Sequence, residues 1–314
     1  MIVMKRQATF SGTVVFILLI TAVFFLLYSK WTVIIGLLLV LLIIHQLLTM
    51  ALFRNPSKRR SPLEHPDWKI IQTKRDGFEI FGQINMVEGE NPLVIFLHGW
   101  ESSSIRFLER MQIFQSKNCH TIILESRSHG LAPSTKEWTA RKITLDLESL
   151  LEEVDQSLVS SVHIYGHSMG GFIALGLQHE RCQGWWKDKL STVMLESPMT
   201  AYSFVLKKLL GSLSFTMPLM KSLSVSAIKK IHPELINPNF SDFDTPNWGL
   251  PNKPTLILQA SDDHILGREH YDLLMKHLDV EHEAHIIQTL HHSQNQVDAE
   301  RDELIMQWIE KRIV

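Results

Sequence analysis

The chain has 314 residues, of which 45% are hydrophobic and 20% are charged, and its formal net charge is −2. This composition is typical of one or two folded globular domains and excludes a disordered, collagen-like or coiled-coil chain. The near-neutral charge also argues against binding through a basic surface, so no nucleic-acid partner is expected.

Two apolar runs stand near the start of the chain, at residues 10–28 and 31–53, with only Ser29 and Lys30 between them. Helices of these lengths would rise roughly 28 and 34 Å, each close to the thickness of a bilayer core. We therefore predict a membrane hairpin over residues 1–53, with two transmembrane helices.

Basic residues flank the two spans: Lys5 and Arg6 precede the first span, and Arg54 and Lys58–Arg60 follow the second. The positive-inside bias places both ends, and with them the C-terminal domain, in the cytoplasm. A cleaved signal peptide or a single signal anchor is the alternative, and either would place that domain outside. The expectation is a multi-pass membrane protein with a cytoplasmic domain.

A polar, proline-containing linker covers residues 54–66, and residues 67–314 form the predicted soluble domain. Its first two strands, Trp68–Thr73 and Phe78–Met86, are predicted to pair as a hairpin, because Asp76-Gly77 is a turn signal. Continuous apolar runs typical of strands buried on both faces follow at Leu93–Leu97, Thr121–Leu124, Val162–Tyr165, Thr192–Leu195, Thr255–Leu258 and His285–Ile287. Helical patterns occupy Ser103–Gln115, Thr139–Gln156, Met169–Gln178 and Val297–Arg312.

This alternation of strands and helices predicts an α/β fold with a doubly wound, mostly parallel sheet. Residues 199–251 interrupt the alternation, and we predict a helical cap insertion there. The part from 201 to 231 contains five lysines and no acidic residue. It is either an interfacial element near anionic lipid or an ordinary cap with solvated lysines, and both interpretations favour an apolar acyl pocket.

A G-x-S-x-G pattern follows the strand Val162–Tyr165 and precedes a helical pattern. In this context the serine, Ser168, lies on a sharp strand-to-helix turn that exposes its hydroxyl above the sheet edge. Gly166 and Gly170 form the nucleophile elbow, because the absence of Cβ lets strand and helix approach closely. Ser168 is therefore the predicted nucleophile.

A serine nucleophile needs a histidine base, which in turn needs an acid to orient it. Along the chain, we expect the turns that carry the serine, the acid and the histidine in that order, each directly after a strand. The turn after Thr255–Leu258 offers Asp263, with Asp262 as the alternative acid. Glu196, just past another strand, is a further candidate in a variant geometry.

The predicted base is His292, with His291 as the alternative, in the turn after the last strand. An oxyanion hole requires two backbone N–H groups aimed at the developing negative charge. We assign these to Met169, the residue after the nucleophile, and to Trp100, in the loop after the strand Leu93–Leu97. Trp100 could instead be an aromatic lid residue without a donor role.

These motifs together resemble those of the α/β-hydrolase superfamily from about Trp68 to the end of the chain. The resemblance depends on His98-Gly99-Trp100, on the loop Glu125–Gly130, on Gly166–Gly171 and on the predicted acid and base. The Gly-His-Ser-Met-Gly-Gly form is similar to that of monoacylglycerol lipases and serine aminopeptidase-like hydrolases. The resemblance implies an α/β-hydrolase fold in which Ser168, Asp263 and His292 form the catalytic triad.

Three departures from the family pattern stand in this chain. Glu125 and Ser128 replace the usual aspartate and glycine of the arginine loop, and Ala260 replaces a glycine before the acid. They weaken the assignment to a subfamily more than the assignment of the fold.

The sequence favours a membrane-anchored serine esterase that acts on lipid or other acyl-ester substrates through an acyl-enzyme. An amidase or peptidase with the same triad is the first alternative, and a catalytically silent scaffold that binds lipid is the second. Neither a phosphate-binding glycine loop nor cysteine and histidine with zinc spacing occurs, so we expect no organic cofactor and no metal.

Overall fold

Eight strands form one sheet in the computed structural model, which describes residues 12–53, 55–135, 138–293 and 297–314. The order across the sheet is β1-β2-β4-β3-β5-β6-β7-β8. The strands are β1 (Lys69–Arg75), β2 (Phe78–Asn85), β3 (Asn91–Leu97), β4 (His120–Glu125), β5 (Val159–His167), β6 (Leu190–Glu196), β7 (Thr255–Ala260) and β8 (His282–Ile287).

The first two strands pair antiparallel as the predicted hairpin, and β2 also runs antiparallel to β4. All other neighbours are parallel. The side chains of Leu93–Leu97 are at most 1% exposed, because helices cover both faces of the central strands. The predicted α/β fold with a mostly parallel sheet is confirmed, and each of the six apolar runs lies within an observed strand.

The α-helices are α1 (Gly12–Tyr28), α2 (Val33–Phe53), α3 (Leu108–Gln115), α4 (Ala140–Leu151), α5 (Met169–Gln178), α6 (Trp185–Asp188), α7 (Tyr202–Leu210), α8 (Met217–Ile231), α9 (Arg268–His277) and α10 (Ala299–Arg312). Two of them, α6 and α9, occur where no helix is predicted from the sequence. In the predicted cap range the described elements are α7, α8 and two short 3₁₀ turns, Gly211–Thr216 and Phe240–Phe243.

Helices α3 and α10 pack on one face of the sheet and on each other, while α4 and α5 pack on the other face. The core under α3 and α10 is aromatic: the ring of Phe96 on β3 stacks on Tyr165 on β5 at 5.4 Å and meets Phe114 edge-on at 5.5 Å. These large rings are fully buried and add a large apolar area to the core on this face of the sheet.

The chain divides into two compact units. One takes its described residues from Met1–Asn55, Lys136–Trp138 and Val205–Asp242, and within it α1 packs on α2 and α2 packs on α8. The other contains Pro56–Thr135, Thr139–Phe204 and Phe243–Val314, and it holds the whole sheet and all the predicted site residues.

The prediction of two membrane-spanning helices is wrong. Among the residues that the structure describes, none of the helices combines the length and the apolar character that crossing a bilayer requires. The predicted multi-pass membrane localisation is therefore wrong as well, and the cytoplasmic orientation that was derived from it has no basis. The flanking residues Lys5, Arg6 and Arg54 lie outside the described residues.

Candidate active site

The predicted nucleophile, acid and base follow three different parallel strands. Ser168 comes directly after β5, Asp263 follows β7, and His292 follows β8. Because the carboxyl ends of parallel strands meet at one edge of a sheet, these three turns lie side by side although up to 124 residues separate them in sequence.

Ser168 has backbone angles of φ 54° and ψ −118°, a conformation that residues with a side chain seldom adopt. The elbow that holds it requires glycine on both sides. A Cβ on Gly166 would lie 2.6 Å from the carbonyl oxygen of Gly170, and a Cβ on Gly170 would overlap the carbonyl oxygen of Leu97. The turn is held by the Ser168 N–H, which donates to the carbonyl of Glu196 at 3.0 Å.

A chain of hydrogen bonds connects the three side chains. His292 Nε2 lies 2.9 Å from Ser168 Oγ, and His292 Nδ1 lies 2.8 Å from Asp263 Oδ2. Since a carboxylate can only accept, Nδ1 carries the proton and the Nε2 lone pair faces the serine hydroxyl. All three residues are at most 9% exposed. This is the arrangement in which an imidazole can take the proton of a serine hydroxyl.

The Asp263 carboxylate is held from its other side as well. Its Oδ1 accepts the N–H groups of Ile265 at 3.0 Å and of Leu266 at 2.9 Å. Burial alone would raise the pKa of Asp263, but the hydrogen bond and charge of His292 and these two N–H groups outweigh it and lower the pKa. Asp263 is therefore an anion that points at the imidazole across the neutral pH range.

The alternative acid and base from the sequence do not join this chain. Asp262 is exposed and pairs at 2.8 Å with the exposed His264. The side chain of His291 is likewise exposed, whereas that of His292 is buried. The structure thus brings Asp263 and His292 to Ser168, and the roles of all three stay predictions.

Glu196, the third candidate acid, forms its hydrogen bonds with residues outside the Ser168–His292–Asp263 series. Its carboxylate accepts two hydrogen bonds from the Arg110 guanidinium, at 2.8 and 2.6 Å, and a third from the Tyr165 hydroxyl. Burial by itself would raise the pKa of Glu196, but the Arg110 charge and hydrogen bonds lower it well below its ordinary value. This fully paired carboxylate lies under the elbow rather than beside the imidazole.

The two predicted oxyanion donors lie on either side of the serine. Met169 is the first residue of α5, where a backbone N–H has no partner within the helix. On the other side, a Cβ on Gly99 would lie only 3.2 Å from the Cβ of Ser168, so the loop that carries Trp100 touches the nucleophile. The indole of Trp100 packs edge-on against His129 at 5.5 Å. The donor roles of Met169 and Trp100 stay predictions.

One residue of the site is not identified by the sequence reasoning. His167 hydrogen-bonds through Nε2 to the backbone carbonyl of His292 at 2.6 Å. Desolvation is the main cause that lowers the pKa of His167 to about 4. The variable position of the G-x-S-x-G pattern gives no signal for this contact, because the pattern constrains only the glycines and the serine.

Glu125, one of the departures from the family pattern, lies buried beneath the loop that carries Trp100. It accepts a hydrogen bond from the hydroxyl of Ser104, and its second oxygen lies 3.7 Å from His98 Nε2. Burial is the main cause that raises the pKa of Glu125 to about 7. Ser128, another departure, has φ 65°, the backbone conformation that favours the glycine it replaces.

Metal ligands require several donors that converge. Within the part of the chain that the structure describes, His, Cys, Asp and Glu side chains do not gather in a group of three or more that could hold a metal ion.

Comparison with known sequences identifies the family to which the chain is similar. A sequence model of the alpha/beta hydrolase family matches residues 94–293, which is more than half of the chain. The chain is also 27% identical over 107 residues to protein phosphatase methylesterase 1 of Rattus norvegicus. That match covers 33% of this chain and 27% of the length of the rat protein.

Solved structures share the fold at low sequence identity. An esterase of Pyrococcus furiosus aligns with a TM-score of 0.59 and 17% identity, over 83% of this chain and 99% of the esterase. A soluble variant of the monoglyceride lipase of Saccharomyces cerevisiae aligns with a TM-score of 0.56 and 15% identity, over 81% and 99% of the two chains. The mouse alpha/beta hydrolase domain-containing protein 10 aligns with a TM-score of 0.57 and 14% identity, over 77% and 97%.

Proposed function

Because the chain belongs to the alpha/beta hydrolase family, we propose that it is a serine hydrolase that cleaves carboxylic esters through an acyl-enzyme intermediate. The single observation that carries the proposal is the hydrogen-bonded series Ser168–His292–Asp263, with spacings of 2.9 and 2.8 Å. The silent-scaffold alternative would be favoured by a histidine turned away from the serine, whereas His292 faces Ser168.

In the first half of the reaction, Ser168 Oγ attacks the ester carbonyl carbon while its proton moves to His292 Nε2. Asp263 holds the imidazole in the correct tautomer and stabilises the imidazolium. The imidazolium then donates its proton to the departing alkoxide, which leaves as an alcohol. In the second half, His292 deprotonates a water molecule that attacks the acyl-enzyme, and it returns this proton to Ser168 Oγ as the bond to the acyl carbon breaks and the carboxylic acid leaves.

The tetrahedral intermediates place a negative charge on the former carbonyl oxygen. We assign its stabilisation to the backbone N–H groups of Met169 and Trp100, which flank Ser168. One such donor contributes about 3 kcal/mol to the stabilisation of the transition state.

The proposed substrates are acyl esters of small alcohols, lipid monoesters included. This choice draws on the proteins to which the chain is similar, which include an esterase, a monoglyceride lipase and a methylesterase. Their common chemistry is a carboxylic ester, and an ester needs less help from the leaving-group acid than an amide does, because an alkoxide leaves more readily than an amide anion.

The test combines covalent labelling with turnover. A fluorophosphonate probe should label the wild-type protein and the control variant Ser222→Ala, whose exposed serine lies on α8, and should fail to label Ser168→Ala. Turnover of p-nitrophenyl esters graded from acetate to palmitate would identify the acyl length, and matched p-nitroanilides would report amidase activity. Labelling that survives Ser168→Ala, or anilide turnover that exceeds ester turnover, would refute the proposed function.

A further inference from the structure

The segment Ser57–Leu63, expected from the sequence to be a linker, is bound along its length to the loop after β3. We name this segment the strap, and we name His98–Glu101, which carries Trp100, the oxyanion loop. The polar contacts between the strap and the residues from Glu101 to Ser104 are these: Ser57 N to Glu101 Oε1 at 2.9 Å, Ser57 Oγ to the same oxygen at 2.5 Å, Arg60 Nε to the Glu101 carbonyl at 2.8 Å, Ser103 Oγ to the Ser61 carbonyl at 2.7 Å, and Leu63 N to Ser104 Oγ at 2.7 Å.

Glu101 is the residue on which the strap converges. It has φ 55°, a left-handed conformation that is uncommon for a residue with a side chain. Its N–H donates to His129 Nε2 at 3.1 Å, while the strap holds its carbonyl and the Oε1 atom of its carboxylate. The hydrogen bond from the Ser57 hydroxyl is the main cause that lowers the pKa of Glu101, so the contact joins a carboxylate to its donors at neutral pH. A strained conformation that several hydrogen bonds hold is typical of a position with a function.

The orientation of the Trp100 N–H depends on the peptide plane that Gly99 and Trp100 share. The Gly99 carbonyl in that plane accepts from the His98 ring at 2.9 Å and from the Ser102 N–H at 3.3 Å. In sequence, Glu101 lies between Gly99, whose carbonyl is held in this way, and Ser102, and it is itself bound by the strap. If the strap released Glu101, relaxation of its strained φ would turn the Trp100–Glu101 peptide, which adjoins the plane of the Trp100 N–H at the Trp100 Cα.

We propose that the strap positions the oxyanion loop, with Ser57 and Glu101 as positioning residues that aim the Trp100 N–H at the site beside Ser168. This proposal rests on the proposed function. Neither residue touches the reacting atoms, so their effect would be on the stabilisation of the tetrahedral intermediate rather than on the binding of the ester.

The decisive variant is Glu101→Ala, which removes the carboxylate that Ser57 binds. We expect kcat to fall about tenfold with KM within twofold of wild type, since loss of a whole oxyanion donor costs about 10²–10³ in kcat. A trifluoromethyl ketone, which forms a tetrahedral oxyanion on the serine, should bind more weakly by the same factor. Glu101→Gln keeps an acceptor for Ser57 and should restore kcat to within about threefold of wild type.

Two further variants separate positioning from general stabilisation. Ser57→Ala should lower kcat less than Glu101→Ala, and the double variant should be no slower than Glu101→Ala alone, because both changes break the same contact. The matched control is Glu90→Ala, an exposed glutamate in the turn before β3, which should leave kcat and inhibitor affinity unchanged. Thermal unfolding of each variant reports whether its fold is retained.

The outcomes distinguish a failure of the strap proposal from a failure of the proposed function on which it rests. The strap proposal alone would be overturned if the wild type turns over esters and Glu101→Ala has the same kcat and the same ketone affinity as Glu90→Ala. A rise in KM at constant kcat, or additive losses in the double variant, would also overturn it. A wild-type protein inactive on every ester would contradict the proposed function, and the strap proposal with it.

Discussion

The residue before the predicted nucleophile supports the predicted base: His167 Nε2 donates to the backbone carbonyl of His292 at 2.6 Å. A carbonyl oxygen can only accept, so Nε2 must carry the proton. Desolvation lowers the pKa of His167 to about 4, which keeps the ring neutral and this donor in place above that pH. The elbow thus presents the serine and also anchors the turn that brings His292 to it.

We predict that His167→Phe will lower kcat for an ester about tenfold. The phenyl ring fills similar space but has no N–H, so the turn of His292 loses its anchor, and displacements of about 1 Å cost up to about 10²-fold in rate. The unpaired carbonyl should also reduce the free energy of unfolding by about 1–3 kcal/mol. Ester kinetics and thermal unfolding measure the two effects.

His167→Gln is the control for this prediction. Its side-chain amide can donate to the same carbonyl, so kcat should stay closer to wild type than in His167→Phe. Equal losses in the two variants would show that the imidazole acts through its packing or its charge and not through this hydrogen bond.

The two adjacent aspartates provide a matched pair for the acid. Asp263→Asn should lower kcat by about 10³–10⁴, because an asparagine can favour the wrong imidazole tautomer while leaving the geometry intact. Asp262→Asn should stay within twofold of wild type, since its carboxylate is exposed and pairs with the exposed His264. Loss of turnover in Asp262→Asn alone would reverse the assignment of the acid.

The central part of the fold could be predicted because its signals are periodic and local. Buried parallel strands appear as continuous apolar runs, and helix α5 begins and ends at the predicted residues Met169 and Gln178. Helix α9 escaped prediction because its sequence, REHYDLLMKH, is mostly polar and buries only three side chains. The two membrane spans predicted from the apolar runs at the N-terminus are wrong, because none of the described helices is both long enough and apolar enough to cross a bilayer.

Within the site, sequence order predicted which turns meet; Asp263 and His292 were preferred over their neighbours there, but the pattern left Asp262 and His291 open as alternatives. Asp262 and Asp263 differ by one position, and only the three-dimensional path of the turn places one of them against the imidazole. Contacts made by irregular backbone, such as those of Ser57 and Arg60 with Glu101, have no periodic pattern at all. The segment from 54 to 66 therefore had the polar composition of a linker while its hydrogen bonds remained unpredictable.

Glu196 allows a structural role to be separated from a catalytic one. We expect Glu196→Gln to reduce the free energy of unfolding by about 3 kcal/mol, because it leaves the buried Arg110 guanidinium without its counter-charge. Among molecules that remain folded, turnover should fall far less than in Asp263→Asn. Chemical denaturation and active-site titration with a fluorophosphonate measure the two quantities separately. A loss of turnover as large as that of Asp263→Asn, with stability unchanged, would instead identify Glu196 as the acid.

Glu125 should make the stability of the protein depend on pH in a defined window. Its carboxyl is buried, and one of its oxygens, Oε2, has no hydrogen-bond partner among the described residues. Burial raises its pKa from an ordinary value of 4.5 to about 7 in the folded protein. Between these two pH values the folded state holds a proton that the unfolded chain has released. The free energy of unfolding therefore falls as pH rises from 4.5 to 7, by about 3 kcal/mol for this group, and the loss is complete above 7.

Glu125→Gln cannot ionise, so it removes this contribution while keeping an acceptor for the Ser104 hydroxyl. Relative to wild type, the variant should gain stability progressively between pH 4.5 and 7 and keep that gain at pH 8. The measurement is urea denaturation at closely spaced pH values, with the exposed Glu90→Gln as the control, whose curve should run parallel to that of wild type. A Glu125→Gln curve that also runs parallel to wild type would show that Glu125 titrates at its ordinary pKa in the folded protein, and therefore that its burial is relieved by a partner or by solvent.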